Sequence, residues 1–214
     1  MTITLHHLRY SRSTRIIWLL EEMGVDYELV QHDRNPETHR AQDDLAAIHP
    51  LGKAPVLVVD DKTIVESGAI IEYLVETYGE GRFGPAPGEE GRGAYLQWMH
   101  MVEGSMAMPV ILTLLSPRFG GFSDPMEAFL GGEVAKLLGY ANDHMQGRDF
   151  VVGDSFTGAD INLTYVVEIA NAGSMLGRYS ALSEYLKRMM ERPHYKNAIE
   201  IGGPVVSGAA RGGD

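Results

Sequence analysis

The sequence predicts an α/β unit followed by an all-α unit, and three observations carry that reading. About the first eighty residues alternate short strand-like runs with helical stripes in the order β-α-β-α-β-β-α. The segment G-E-G-R-F-G-P-A-P-G-E-E, 79–90, is rich in Gly and Pro and reads as a connection. Everything beyond it reads helical. With 214 residues and 44% hydrophobic composition the chain can bury a core in each part.

Residues 2–8 read as a strand. From Arg15 the apolar positions Ile16, Leu19, Leu20 and Met23 fall at i, i+3, i+4 and i+7, one helical stripe closed by Gly24. Val25–Val30 alternates as a second strand. The connection between the two strands has the length of a helix, so they should be parallel with a right-handed crossover. Residues 33–48 are polar with an apolar cluster only at 45–48, an irregular or short helical segment. V-L-V-V and T-I-V, joined at Asp60-Asp61, predict an antiparallel hairpin. After Glu66-Ser67-Gly68, a further helix places Ile71, Leu74, Val75 and Tyr78 on one stripe.

Four helical segments follow the connection: about 90–116, 125–146, 157–172 and 179–191. Pro109 should kink or end the first. The domains are therefore placed at 1–79, with a linker at 80–90, a helical domain at 91–201, and a poorly ordered tail at 202–214.

Composition excludes several classes of function. The net charge of -11 opposes a nucleic-acid or anionic-membrane partner over most of the surface. No cysteine is present, which removes disulfides, thiolate metal sites and a cysteine nucleophile. M-T-I-T-L-H-H lacks the character of a signal peptide, and no apolar run reaches 18 residues, so a cytoplasmic protein with no membrane span is expected.

Several motifs are decoys. The G-x-G-x-x-G of 79–84 follows a helix and leads into Pro-Ala-Pro, the wrong context for a dinucleotide site. Asn162-Leu163-Thr164 fits a glycosylation sequon but lies on a helix. The eight histidines show no H-E-x-x-H, and no metal is expected. No G-x-S-x-G elbow occurs.

Other stretches carry more. H-P-L-G-K-A-P-V, 49–56, sets Pro55 just before a strand, consistent with a cis bond or with a trans proline at a strand start. Glu66-Ser67 precedes a helix, where serine can cap or bind a carboxylate. T-G-A-D, 157–160, fits a capping box with Asp160 in the usual Glu/Gln place. In H-H-L-R-Y-S-R-S-T-R, hydroxyls crowd the passage from strand to helix.

Taken in order, these pieces resemble a cytosolic glutathione S-transferase. The strand–Ser–helix opening, the G-K-A-P-V turn, the E-S-G helix start, the linker and T-G-A-D-I all match across about residues 2–195. S-R-S-T-R-I-I-W-L-L-E-E-M-G-V-D-Y-E is similar to bacterial and fungal members with a serine-type active site. The resemblance implies a thioredoxin-like first domain, a helical bundle, and a cytoplasmic homodimer active in detoxification.

It also implies roles. Lys53 would meet the glycine carboxylate of glutathione. Val56, after a cis Pro55, would offer its backbone N–H and C=O to the cysteinyl part. Glu66 would take the γ-glutamyl ammonium and Ser67 the carboxylate. Ser11 is the expected hydrogen-bond donor to the sulfur, with Tyr10 as rival. Ser13 is the third hydroxyl and the expected N-cap of the helix. Met99, Met106, Met108, Ile111 and Leu112 are candidates for an adaptable apolar wall around a small hydrophobic electrophile, or for interhelical core. Glu103 would reach the glutathione of a dimer partner. Glutathione is thus the co-substrate.

A free thiol has a pKa of ~8.5, and lowering it by ~2 units needs ~2.7 kcal/mol. One charge-assisted hydrogen bond of roughly 1.5–3 kcal/mol with a helix dipole suffices. Conjugation, glutathione-dependent isomerisation and peroxide reduction all fit, as does a non-catalytic carrier of glutathione or hydrophobic ligands with the same fold.

Overall fold

The computed structural model describes residues 2–206. They form two compact units, one made of the chain up to Glu80 with Arg192–Val205, the other built on Gly81–Glu191. The first unit contains β1 (Ile3–Leu8), α1 (Thr14–Met23), β2 (Glu28–His32), α2 (Asp43–Ile48), β3 (Val56–Val59), β4 (Lys62–Val65) and α3 (Ser67–Tyr78), in the order expected. The sheet runs β2-β1-β3-β4. β1 and β2 are parallel, as a helix-length crossover requires, and β3 is antiparallel to both β1 and β4.

β1 is central, and Leu5, His6, His7 and Leu8 are consecutively buried, as in a strand covered on both faces. That run explains how two adjacent histidines come to lie inside. α1 buries Ile16, Ile17, Trp18, Leu19 and Leu20 almost completely, each contributing about 1.5–3 kcal/mol relative to exposure. Gly24 ends the helix in the left-handed region at φ 67°. Its neighbour Val25 donates to the Leu20 carbonyl at 3.2 Å. That cap occupies Val25, so β2 spans Glu28–His32 instead of the expected Val25–Val30.

The largest departure from the sequence reading is α9 (Pro193–Gly202). The sequence pattern assigns no helix there and puts Gly202 in the tail, yet Arg192–Val205 belongs to the first unit. Polar and aromatic contacts with α1 hold it there. Arg192 makes a bidentate pair with Glu22 at 2.7 and 2.9 Å. Tyr195 stacks edge-on against Trp18 at 5.1 Å, and Asn197 donates to Glu21. Gly202, Gly203, Val205 and Val206 are buried, and the remaining tail, 207–214, lies outside the described residues.

The second unit comprises α4 (Arg92–Met101), α5 (Ala107–Leu115), α6 (Asp124–Met145), α7 (Gly158–Ala172) and α8 (Ser180–Glu191). The expected linker is tied to this unit, since Gly158 N–H donates to the Phe83 carbonyl at 2.8 Å. Between α4 and α5 the chain makes a π turn, Val102–Met106. The interruption therefore falls ahead of Pro109, whose ring would crowd the carbonyl four residues back in a regular helix. Asn162, fully buried and unable to carry a glycan, donates to the Met99 carbonyl at 2.9 Å beside that turn. Arg92–Phe119 is long and apolar enough to cross a bilayer by composition. Its Tyr95, Trp98, Met99, Val102, Met106 and Val110 are instead core, in helices that contact α6 and α7.

The capping box of α7 is formed as the sequence predicts. Thr157 Oγ1 accepts from Ala159 N–H at 3.2 Å, while the Asp160 carboxylate accepts from Thr157 N–H at 2.8 Å and Val151 N–H at 2.9 Å. The Tyr185 hydroxyl lies 3.2 Å from the same carboxylate. Burial pushes the Asp160 carboxyl up to about 6 against these hydrogen bonds, which favour the charged form.

Two stability tests follow from these contacts. Asp160→Ala, which strands two buried amides and removes the box, should cost about 3 kcal/mol in urea unfolding, against about 1 for Thr157→Ala. In Gly202→Ala the new Cβ would meet Ile17 Cδ1 at 2.5 Å and His7 Cε1 at 3.1 Å. With no room in that core, a loss of about 1–3 kcal/mol is expected in the same measurement.

Candidate active site

The sheet topology gathers the expected residues at one end. β1 and β4 both point their C-terminal ends there, and β3 begins there, because β3 is antiparallel to each. The register pairs Val56 with His6 on one side and Val65 on the other. The loop after β1, the turn before β3 and the Glu66-Ser67 corner are therefore neighbours.

The turn before β3 holds a cis Ala54–Pro55 peptide, with Pro55 buried and Lys53 exposed. Asp60 N–H donates to the Thr2 carbonyl at 3.2 Å. Strict alternation of the antiparallel ladder then puts Val58–Thr4 and Val56–His6 on hydrogen-bonded pairs. The backbone of Val56 is committed to β1, so the ligand-facing role expected of its N–H and C=O does not fit. Ala54, half-buried, precedes the ladder.

Glu66 occupies the N-cap position of α3 at φ 70° and ψ 112°, with its side chain exposed. A non-glycine residue held there is strained by about 1–3 kcal/mol, a cost found mostly at ligand sites and switches. Ser67 is the first helical residue and not the cap. It is buried, and its hydroxyl accepts from the buried guanidinium of Arg15. A hydroxyl that accepts there keeps its own proton to donate.

In the β1–α1 loop, Tyr10 sits at φ 57° with 40% of its surface exposed. Arg34 clamps this loop, donating to the Arg9 carbonyl at 3.0 and 2.9 Å and the Tyr10 carbonyl at 2.9 Å. Ser11 is half-buried. Its Oγ lies 2.8 Å from Ser13 Oγ and accepts from Ser13 N–H at 3.1 Å.

Ser13 stands in the N-cap position of α1, yet its side chain caps nothing. Its carbonyl instead accepts from Ile16 and Ile17 N–H, and its fully buried hydroxyl turns inward. Ser13 Oγ is 2.7 Å from His7 Nδ1 and 3.1 Å from the Leu8 carbonyl, and accepts from Leu8 N–H at 3.1 Å. The expected cap is thus replaced by a link to β1. His7 Nε2 in turn lies 2.8 Å from the Gly202 carbonyl at the end of α9. Burial holds His7 below the usual imidazole range, aided by Arg9 and His32 and opposed by the Gly202 carbonyl.

A second chain runs through the same strand end. His6 Nδ1 is 2.9 Å from His32 Nε2, and His32 Nδ1 is 2.7 Å from Asp44 Oδ2. Burial, and then His32, lower the pKa of His6, while the His32 hydrogen bond lowers that of Asp44. Among the described residues no three His, Asp or Glu side chains gather as a metal site.

In the helical unit, Met99 and Met106 are core, at 3% and 0% exposure. Met108 is 62% exposed, and Leu112 and Ile111 are half-buried, so these retain surface for a ligand. Glu103 is half-buried within the π turn. Sequence reasoning missed His7, Arg34 and Gly202, and treated Arg15 only as a helix start. The one signal for the first was His-His within an apolar strand.

The sequence matches "Glutathione S-transferase, N-terminal domain" over residues 1–76 and "Glutathione S-transferase, C-terminal domain" over residues 105–193. Glutathione S-transferase 3 of Schizosaccharomyces pombe is 33% identical, over 92% of this chain and 87% of the relative. A crystal structure of a glutathione S-transferase from Actinobacillus pleuropneumoniae aligns with a TM-score of 0.87 at 32% identity, over 98% of this chain and 99% of that one. A sphingomonad glutathione S-transferase complexed with glutathione has the same fold, with a TM-score of 0.78 at 24% identity over 94% of this chain and 98% of that one. The two matched domains in their order, the similarity along almost the whole chain and the fold agree: this chain belongs to the glutathione S-transferase family.

Proposed function

We propose that the enzyme binds glutathione at the strand end described above and activates its thiol through Ser11 for attack on a small hydrophobic electrophile. The observation that carries this reading is the placing of Ser11. It is half-buried just ahead of α1, at the sheet end that also holds the cis Pro55 turn and the Glu66-Ser67 corner. The bound glutathione of the sphingomonad fold neighbour supports the choice of ligand.

In this reading Lys53 meets the glycine carboxylate. The backbone contact to the cysteinyl residue, expected of Val56, passes to Ala54 on the outer side of the cis bond. Glu66 accepts from the γ-glutamyl ammonium, and Ser67 donates to the carboxylate while accepting from Arg15. A tripeptide with two carboxylates and one ammonium requires such a division of donors and acceptors. The N-terminal end of α1 adds its dipole to the hydrogen bond from Ser11, and both favour thiolate over thiol.

Met108, Ile111 and Leu112 then supply the apolar surface for the electrophile. Glu103 of one protomer approaches the glutathione of its partner in a homodimer, and the enzyme works in the cytoplasm on detoxification.

Conjugation of glutathione to chlorodinitrobenzene tests the reading. Ser11→Ala should lower kcat/KM about 10- to 100-fold, the loss of ~1.4–2.7 kcal/mol of transition-state stabilisation. Tyr10→Phe should stay within about twofold of the parent. The reverse pattern would move the role to Tyr10, and absence of conjugation in the parent enzyme would favour a carrier. Lys53→Met should raise the KM for glutathione about tenfold with kcat unchanged, as expected for a contact made equally in ground and transition states.

A further inference from the structure

We propose that His7 is the proton acceptor for the glutathione thiol, reached through Ser13 and Ser11, and that protonation of His7 turns the Ser11 hydroxyl toward the sulfur. The inference rests on the reading that Ser11 faces the thiol, and it adds a buried positioning residue that touches neither substrate nor product.

Hydrogen positions follow from what each atom can do. The Gly202 carbonyl can only accept, so His7 Nε2, 2.8 Å away, carries a proton. In the neutral ring Nδ1 is then an acceptor. Ser13 Oγ, 2.7 Å from Nδ1, must donate to it, since otherwise two lone pairs would face each other at that distance. The Leu8 carbonyl, at 3.1 Å, is the longer alternative for the same proton. Having spent its one proton, Ser13 Oγ accepts from Ser11 across 2.8 Å. With His7 neutral, the chain therefore runs from Ser11 to Ser13 to His7, and Ser11 presents a lone pair outward.

That polarity suits a thiol and not a thiolate. The S–H proton passes to Ser11 Oγ, the Ser11 proton to Ser13 Oγ, and the Ser13 proton to His7 Nδ1. One O–H bond forms and one breaks at each serine, so both leave as neutral hydroxyls. The products are a thiolate and an imidazolium. Every hydrogen bond in the chain is now reversed, and Ser11 donates to the sulfur it has just deprotonated. No co-reactant is needed.

The surroundings fit both states. His7 has no exposed surface and Ser13 none, so solvent does not compete for the proton between Ser13 and His7. Burial favours neutral His7 in the resting enzyme, and Arg9 and His32 act in the same direction. Opposing them, the Gly202 carbonyl belongs to the C-terminal end of α9, the end of a helix that favours a cation. Ile17 of α1 and Gly202 of α9 lie against the ring region without charge, as a Cβ at Gly202 would touch both Ile17 and His7. The missing side chain at Gly202 is what lets the ring approach its carbonyl. Because burial holds His7 below the usual ~6.5, the transfer from a free thiol near ~8.5 spans more than about two units. The C-terminal end of α9 together with attraction to the thiolate must offset that gap.

The test counts protons in the full chain at about pH 7, where free thiol is mostly protonated. Thiolate is followed by its ultraviolet absorbance on mixing with glutathione. Protons are followed by an indicator dye in weak buffer, with S-methylglutathione subtracted for binding alone. The relay predicts a thiolate signal with almost no proton release, because the proton stays on His7. His7→Gln keeps a donor for Gly202 and an acceptor for Ser13 but cannot hold the proton. It should raise the pKa of the bound thiol by about one unit or more, release about one proton per thiolate formed, and lower kcat about tenfold at neutral pH. Its KM for glutathione should be unchanged, and the deficit should close as pH rises. Release of one proton per thiolate by the parent enzyme overturns the relay whether or not the variant folds, and so does a parental pH profile in His7→Gln. If the parent forms no thiolate with glutathione, the underlying reading of the site fails instead. If Ser11→Ala keeps the parental thiolate titration, the error lies in the choice of Ser11.

Discussion

The antiparallel pairing of β3 against β1 is the constraint on which the site depends. β1 and β2 are parallel and carry their chain in one direction. Only because β3 runs back along β1 does the cis Pro55 turn arrive at the end from which Tyr10 and Ser11 leave. The tight return into β4 then brings Glu66 to the same place. A slip of one residue between β1 and β3 would turn every β3 side chain to the opposite face and break the pairing of Val56 with His6. Two residues of strained backbone, Tyr10 and Glu66, mark the two corners this pairing sets side by side.

The second dependence is on α9. Its docking on α1 through Arg192–Glu22 and Tyr195–Trp18 brings a helix C-terminus against the buried ring of His7. The ring has a polar atom at each side, and burying it without partners would be costly. Gly202 and Ser13 satisfy both atoms, so one histidine ties the last helix of the first unit to the strand and loop that carry Ser11. In the second unit Asp160 has a comparable place, joining the start of α7 to Val151 and Tyr185. Both are buried polar groups that tie their own element to distant ones, although Asp160 also caps its own helix.

Much of this was legible in the chain. The first seven elements of the first unit, β1 to α3, follow from apolar periodicity and from Gly24, Asp60-Asp61 and Pro55 as punctuation. The box at Thr157–Asp160 is a local pattern, and it forms as a local pattern should. Helix α9 escaped because it is short, starts right after α8 across Pro193, and ends in Gly residues that by composition resemble a tail. By local pattern Ser13 reads as a cap, because serine before a helix usually is one. Its hydroxyl makes no cap bond and goes to His7 instead, because the strand beside it offers a buried acceptor at 2.7 Å. Met99 and Met106 could not be told from Met108, since methionine suits core and binding wall alike.

The sequence by itself determined the order of elements from β1 to α3, the parallel start and antiparallel finish of the sheet, the end of α1 at Gly24, the capping box of α7 and the absence of a cysteine thiol. Those depend on contacts between residues near each other in the chain, or on composition. Tertiary structure decided which hydroxyl is buried, which backbone amides are spent on the sheet, and that residues 7, 11, 13 and 202 share one line of hydrogen bonds. Such a line joins atoms from β1, the loop that follows it, the head of α1 and the end of α9. Its direction depends on the single carbonyl at its far end, which no local pattern around Ser11 could reveal.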